Sequence, residues 1–418
     1  MANSFNTLKN APGVVAKLAA GMFEDKVQFS RTIDKAPAED YNGKNGYQSG
    51  DTIYISKPAR FIPTTGADVT SALQDVTEEK VALALDTRYV VPIALTSAEI
   101  ATEAALESWT KRVLDPAVSA MAQYVEKAFV QKAAQATFQS VGTAGAAGPF
   151  DTDTVLAAGQ KINEMACPDY SNRYLLLNPY GSRSATNARK GLFQSSSEIA
   201  SQYKNGYMGQ ADGFEFMSNN MLYTHTNGND VTGVAVEASV VAISNGMSTL
   251  GVDGLTNTTG TVTKGSVFTI SGVNAVHPVT KADLGYLQQF VVTADATANG
   301  SGQATLSISP SIYYTTTDPR QNVSAAPVDE SGALVFVGVA STAYAQNLAY
   351  HKSAFRMVSV PLVMPGGMDM AGQATSDGGF TIRVLRDYDI LTDKLIMRLD
   401  FLGGLAAVRP EWAARLTA

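Results

Sequence analysis

The 418 residues are 45% hydrophobic, enough for two or three domains with buried cores, which excludes a disordered polymer. The net charge of −7, with no run of Lys or Arg, excludes sequence-specific DNA binding through a basic patch. A single cysteine, Cys167, excludes an intramolecular disulfide and reads as a small buried apolar residue.

The first predicted element is a short amphipathic helix. Val14, Leu18 and Met22 recur every four residues, as do Val15, Ala19 and Phe23, and Pro12-Gly13 marks the start. A helix this short is marginal alone, so its stripe must pack on something. Docking on its own core and reaching a neighbour are equally compatible with the pattern. Lys17 and the following Glu24-Asp25-Lys26 argue against a signal peptide.

Tyr41 to Leu95 reads as extended hairpin structure with turns at Asn42-Gly43, Asn45-Gly46 and Ser49-Gly50. Ile53 and Ile55 share one face of a strand from Asp51 to Lys57. Strands return at Val81–Leu85 and Tyr89–Leu95. Between the strand that ends at Lys57 and the one that begins at Val81, Ala59 to Gln74 holds little that could anchor a core, and so long an excursion suggests a loop that lies across a partner.

A long helix follows. Asp115 suits the N-cap, Pro116 suits the first helical position, and the end falls near Phe138. Its apolar stripe is Ala117, Met121, Val125, Phe129 and Ala133, widened by Ala120, Tyr124 and Ala128. Gln123, Lys127 and Gln131 take the opposite face. The Gly/Ala run from Gly142 to Gly148 reads as a linker.

Asp153 to Met165 reads as a helix capped at Asp151 or Asp153, and Arg173–Leu177 as a buried strand. Asn178-Pro179 stops that strand, and Ser182–Lys190 resumes as helix. From Thr224 to Ala345 the charges thin and turn mostly acidic. Strands are expected at Val234–Ile243, Val267–Ile270, Gln288–Thr293, Ala304–Ile308 and Leu334–Val339, with a hairpin turn at Asn299-Gly300. Such spacing suggests an inserted all-β barrel or sandwich. Long strands close the chain: Phe380, Ile382 and Val384 alternate on one, Leu395, Met397, Leu399 and Phe401 on the next, with Arg386–Asp393 as the turn.

Chemistry-bearing motifs are not evident. No phosphate-binding Gly-x4-Gly-Lys-Ser/Thr run and no Gly-x-Ser-x-Gly elbow occurs. His225, His277 and His351 lie far apart in sequence, which disfavours a metal site. Asp387 and Asp389, which flank Tyr388, read as a solvated turn rather than a cation site, and Glu78-Glu79-Lys80 as the solvated start of a strand. The uncharged stretches Ala133–Phe150 and Ser331–His351 are too diluted by polar residues and Gly for membrane spans. The expectation is therefore a non-enzyme without cofactor or metal.

In this order the pieces resemble the coat proteins of tailed double-stranded-DNA phages, of the short-tailed type with an inserted β-barrel. Phe355–Leu362 looks like that family's strand after the insertion. Gly379–Val384 and Met397–Leu402 resemble its closing strands, and Gly404–Glu411, with Arg409-Pro410, its terminal signature. The resemblance implies an α+β tailed-phage major capsid fold. Its parts would be an N-arm (1–40), an E-loop with flanking strands (41–95), a spine helix and P-domain (96–150), an A-domain (151–223), the inserted barrel (224–345), and a return through A- and P-domain strands (346–418). It implies a major capsid protein that forms hexamers and pentamers of an icosahedral shell around packaged DNA. Implied partners are sister copies, a separate scaffolding protein, a portal protein and non-specifically contacted DNA, with no membrane. The implied location is the virion capsid, assembled in the host cytoplasm. Expected assembly contacts are Leu18, Met22 and Phe23 on the arm, Arg60 and Phe61 on the excursion, and Asp230 and Asp253 on the insertion. A nanocompartment shell or a phage tail component are the other readings of the pattern.

Overall fold

The computed structural model describes residues 12–36, 47–61, 78–85, 87–96, 110–144, 152–168, 170–189, 209–366, 370–392 and 394–417, together with Leu73 and Val76. The fold is mixed α+β. It divides into two compact units. The first takes Met1–Ser56, Lys80–Val130 and Phe355–Ala406; the second takes Lys57–Glu79, Gln131–Ala354 and Ala407–Ala418.

In the first unit, a six-stranded sheet runs in the order Asp34–Lys35, Phe355–Ser359, Lys394–Ala407, Thr381–Asp389, Met370–Thr375, with Arg88–Thr96 also paired to Lys394–Ala407. Pro92 sits inside Arg88–Thr96, opposite Arg398. Among the described residues that strand has one partner, so a missing N–H is tolerated there. Thr381–Asp389 and Lys394–Ala407 pair from Ile382↔Phe401 to Asp389↔Lys394, so Arg386–Asp389 belong to the strand and, among the described residues, only Ile390–Thr392 are turn. The turn is short because Asp389 organises it: its carboxylate accepts the Leu391 N–H at 3.0 Å and the Thr392 hydroxyl at 2.7 Å. Asp387 and Asp389 are thus strand residues.

The N-terminal helix, Pro12–Lys26, packs on Met370–Thr375 and Thr381–Asp389 of its own unit. The residues it buries are Ala16, Ala19, Ala20 and Phe23, while Val14 is 49% and Leu18 43% exposed. Of the expected stripe, Ala19 and Phe23 are buried as expected, while Val14 and Leu18 are not, and Ala16 and Ala20 take their place. The helix is apolar almost all round, and the face with small side chains lets the backbone come closest to the sheet. Phe23 enters an aromatic cluster, 5.0 Å from Phe401 and 5.4 Å from Phe380, and Phe129 lies 6.5 Å from Phe401. Each fully buried ring of this kind contributes about 1.5–3 kcal/mol.

The long helix, Asp115–Ala136, contributes residues to both units. Met121, Val125, Phe129 and Ala133 are buried as expected, and Gln123 and Lys127 are exposed. Ala120 and Tyr124 do not widen the stripe; Tyr124 is 65% exposed, and Val118, Ala122 and Val130 are buried in their place. Asp115 is not an N-cap, because a π-turn, Thr110–Leu114, leads straight into the helix. Pro116 has no N–H to give the preceding turn, which suits that widened geometry. Asp115 instead pairs with Lys26 at 2.9 Å. Thr52–Lys57 and Glu79–Ala84 form a two-stranded sheet with Ile53, Ile55 and Leu83 buried.

The second unit contains a seven-stranded sheet in the order Ser140–Val141, Ala413–Thr417, Ala343–His351, Arg173–Leu177, Phe214–Ser218, Gln210–Ala211, with Thr224–Thr226 also on Ala343–His351. Helix Thr152–Glu164 buries Val155, Ala158 and Ile162 in the core that Leu175, Phe214 and Leu416 share. Asp153 lies inside its first turn, and Asp151 falls outside the described residues. Cys167 is partly buried against this core. Asn178-Pro179 begins a helix, Pro179–Arg189, rather than only ending a strand: the Asn178 side-chain oxygen accepts the Gly181 N–H at 2.6 Å.

The same unit carries the barrel. Its sheet order is Ala235–Val236, Met247–Asp253, Ala304–Ile312, Asp283–Val292, Val267–Val276, Leu334–Phe336. The Val236 N–H donates to Gly332 O at 3.1 Å and the Leu334 N–H to Val234 O at 2.8 Å, so the first strand meets the last and the sheet closes. Leu250, Phe268, Phe290 and Leu306 fill it. Val234–Ile243 is not one strand; pairing ends at Val236, where Glu237 begins a turn. Met247–Asp253 and Ala413–Thr417 were not expected. The turn at Asn299-Gly300 is present, with the Asn299 side chain accepting N–H groups of Ser301 and Gln303.

Candidate assembly surface

The expected contact residues fall in both units: Leu18, Met22 and Phe23 in the first, Arg60, Phe61, Asp230 and Asp253 in the second. Leu18 is exposed and Met22 half-buried on the N-terminal helix, but Phe23 has no exposed surface and so none to offer a neighbour. In the second unit, Arg60 pairs with Glu411 of its own chain at 2.7 Å, and Phe61 next to it is 57% exposed. Most of the excursion beyond Phe61 lies outside the described residues. Asp230 accepts the Thr256 N–H at 2.5 Å and so holds a turn of its own barrel; Asp253 is half-buried at a strand end, opposite Ala235.

Two features of the first unit, one on the surface and one beneath it, escape a pattern reading. At the hairpin tip of the first unit, Leu391 is 89% and Ile390 80% exposed, with Tyr388 and Ile396 exposed behind them. Two adjacent large apolar side chains between Asp389 and Thr392 were the available signal. Beneath the surface of the same unit, Glu126 is buried on the long helix. Its Oε1 accepts the Phe29 N–H at 2.5 Å and the Gln28 N–H at 3.1 Å; its Oε2 accepts the Ser30 hydroxyl at 2.9 Å. It fastens the segment that follows the N-terminal helix. Burial pushes its pKa above the ordinary carboxylate value, against the opposing pull of those donors.

In the second unit a buried polar junction joins barrel, sheet and long helix. Arg415 is fully buried; its Nε donates to Thr137 O and its Nη1 to Gly265 O, both at 2.7 Å. Gly265 is required there: its φ is +98°, and an added Cβ would lie 3.2 Å from Gln135 and 3.3 Å from His225. A hydrogen-bonded chain passes beside it. The Gln135 amide donates to the Tyr223 hydroxyl at 3.2 Å, which meets His225 Nδ1 at 3.1 Å. His225 Nε2 then meets the Ser266 hydroxyl, and Ser266 that of Thr263, both at 3.2 Å; Thr263 donates to Thr226 O at 2.8 Å. A donor-only amide N–H at one end and a carbonyl acceptor at the other set one direction, with His225 neutral and protonated on Nε2. Burial, and then the neighbouring Arg415 charge, push the His225 pKa down to about 4.

This junction predicts acid sensitivity. Unfolded, His225 titrates near 6.5; folded, near about 4, so between those values the unfolded state holds the extra proton. Its contribution is complete above pH 6.5 and is lost as pH falls toward 4, amounting to roughly 3 kcal/mol. Urea midpoints between pH 7 and 4.5, read from the buried Trp412, should fall less steeply in His225→Gln. Equal slopes would contradict this role.

Among the described residues, no three His, Cys, Asp or Glu side chains gather to hold a metal, and no helix is long and apolar enough to cross a membrane. The described residues form a mixed α+β fold with a nearly closed β-barrel inserted between two strands of another sheet. The chain belongs to the P22 coat protein family: the family described as "P22 coat protein - gene protein 5" matches residues 1–416. No curated protein sequence matches it. Among solved structures, it is similar to a chain from Mycobacterium phage Che8, at 13% identity over 93% of this chain and 90% of that one, with TM-score 0.45. It is also similar to the capsid of Ralstonia phage GP4, at 9% identity, 89% and 84% coverage and TM-score 0.45. A third is the capsid of cyanophage P-SCSP1u, at 12% identity, 92% and 89% coverage and TM-score 0.42. Membership rests on the family match, not on these likenesses.

Proposed function

We propose that copies of this chain assemble into hexamers and pentamers that close an icosahedral shell around packaged double-stranded DNA in the host cytoplasm, with a separate scaffolding protein and a portal as partners. The observation that carries the reading is the hairpin tip. Leu391 and Ile390 stand 89% and 80% exposed on a short, organised turn, with Tyr388 and Ile396 beside them. Two adjacent apolar side chains exposed at the tip, with Tyr388 and Ile396 exposed on opposite faces of the ribbon that carries it, support a contact surface there. Leu18 and Val14 on the N-terminal helix are a second such surface. In this reading the N-terminal helix is the root of the N-arm, and the excursion after Lys57 is the E-loop. The units correspond to P- and A-domains, with the barrel as the insertion. Head-to-tail contacts close a ring when the rotation closes, and many modest contacts act together on one shell. The net charge of −7 suits loose contact with DNA.

Electron microscopy of the purified chain, with scaffolding protein supplied, should show closed shells of uniform size. The double variant Ile390→Asp, Leu391→Asp should stay folded by circular dichroism, since neither residue is in a core, and should lose at least tenfold in particle yield. Normal shells from that variant would remove the tip from the contact surface. A parent chain that never forms closed particles would defeat the function itself.

A further inference from the structure

We infer that the hairpin tip of one copy seats on the exposed face of a second copy's N-terminal helix, a pairing that rests on the assembly proposed above and says how its subunits mate. Both surfaces belong to the first unit. The helix turns Ala16, Ala19, Ala20 and Phe23 to its own sheet, which leaves Val14, Lys17, Leu18 and Gly21 uncovered on the other side. Val14 and Leu18 lie one turn apart and form a short apolar ridge. Gly21 follows one turn on, in the middle of the same face. Glycine inside a helix is destabilising relative to alanine. An added Cβ at Gly21 would meet nothing within 4 Å, so nothing in its own chain calls for glycine there. A neighbour's close approach does.

The hairpin supplies the counterpart. Asp387 pairs with Ile396 and Asp389 with Lys394, so these four side chains share one face of the ribbon. That face carries two carboxylates against one ammonium group and leads to Ile390 and Leu391 at the tip. Asp389 holds its own turn. Asp387 and Lys17 are both exposed, and neither enters an ion pair among the described residues. With the ribbon laid along the helix, Asp387 meets Lys17, Ile396 covers Leu18, and the tip reaches Val14. The acidic tip then also faces the positive N-terminal end of the helix. The fit is thus apolar to apolar and acidic to basic, and one chain carries both halves. The halves are different patches, so the contact is head-to-tail, which forms a ring when the rotation closes.

The test is disulfide trapping in a Cys167→Ser background, which removes the native thiol. Val14 and Leu391 are both exposed, so the double variant Val14→Cys, Leu391→Cys should fold, as circular dichroism checks. Oxidised in assembled shells, it should give a ladder of linked chains on a denaturing gel, while each single variant stays monomeric. Shells that form normally but give no ladder overturn the docking and leave the assembly standing. A dimer from Leu391→Cys alone would mean tip-to-tip contact and overturns it as well. Lys17→Asp and Asp387→Lys should each lower particle yield about fivefold, and together should restore most of it. A combined yield no better than either single overturns the pairing. A parent that forms no closed particles defeats the assembly reading; the ladder in concentrated solution then decides the docking, its presence supporting the contact and its absence ruling it out.

Discussion

Asp400→Asn is expected to remove about 3–5 kcal/mol of stability, the usual effect of breaking a buried ion pair from one side. Asp400 is fully buried in the central strand of the first unit. Its Oδ2 accepts from Arg383 Nε at 3.0 Å and also from Arg383 Nη2; its Oδ1 accepts from Arg398 Nε at 2.6 Å. Asn keeps the shape and removes the charge, which strands the Arg383 guanidinium, itself only 7% exposed. The readout is a urea titration followed by hydrogen exchange of the 381–407 segment. Its protection should collapse at a markedly lower urea concentration, while the barrel strands keep theirs. The double replacement Arg383→Leu with Asp400→Leu should recover most of the loss, because two apolar side chains need no partners. A single variant as stable as the parent would mean that the pair contributes nothing beyond its volume. The expected loss is a sizeable part of the roughly 5–15 kcal/mol that holds a domain together, so Asp400→Asn should also lower the yield of folded chain.

How much of this was readable follows from what each residue's neighbours are. Arg173–Leu177 was legible to the residue because an apolar run ends at Asn178-Pro179, and both signals are local. Ile53 and Ile55 were legible because one face of their strand is exposed, so alternation survives. Ala413–Thr417 was not: all five of its residues are buried, and a strand covered on both faces has no period to read. The N-terminal helix was legible as a helix but not in its facing. Both faces are apolar, and the choice fell to Ala16, Ala19 and Ala20 for their size. Met247–Asp253 hid behind Ser248, Thr249 and Gly251; Gly251 fits because an added Cβ would lie 2.4 Å from Glu237 O.

The candidate surface was less legible than the fold. Arg60 and Asp230 are the exposed-looking charges that pattern reading selects, and both bind partners within the chain. Arg415 and Glu126 look like ordinary solvated charges in sequence. Arg415 is buried only because Thr137 and Gly265 come to it from distant segments. Glu126 follows Gln123 and precedes Lys127, and nothing local reveals that residues 28–30 will cover it.

Glu126 supports the other large expected effect. Three consecutive backbone N–H groups and a hydroxyl converge on its carboxylate, with the Ser30 N–H the most distant at 3.4 Å. Glu126→Ala leaves these donors buried without an acceptor, at a cost of about 3 kcal/mol. The loss should be local: hydrogen exchange should show Gln28 to Ser30, and then the N-terminal helix, opening before the central sheet. The charge predicts a pH dependence as well. Burial holds the Glu126 pKa above its ordinary 4.5, so from 4.5 upward the folded state retains a proton that the unfolded state releases. The associated stability is complete below 4.5 and is lost as pH rises through the folded value. Glu126→Gln cannot ionise, so its stability should change less than the parent's as pH rises from 4.5 toward neutral. The amide also offers one acceptor where the carboxylate offered two, which should loosen Ser30 more than Phe29. The His225 effect has the opposite sign in an overlapping window, and it belongs to the other unit. Exchange read separately at residues 28–30 and at Gly265–Val267 therefore separates the two titrations, with acidification tightening the first segment and loosening the second. Acid that loosened both together would show that Glu126 is held as a paired carboxylate and not as a strained one.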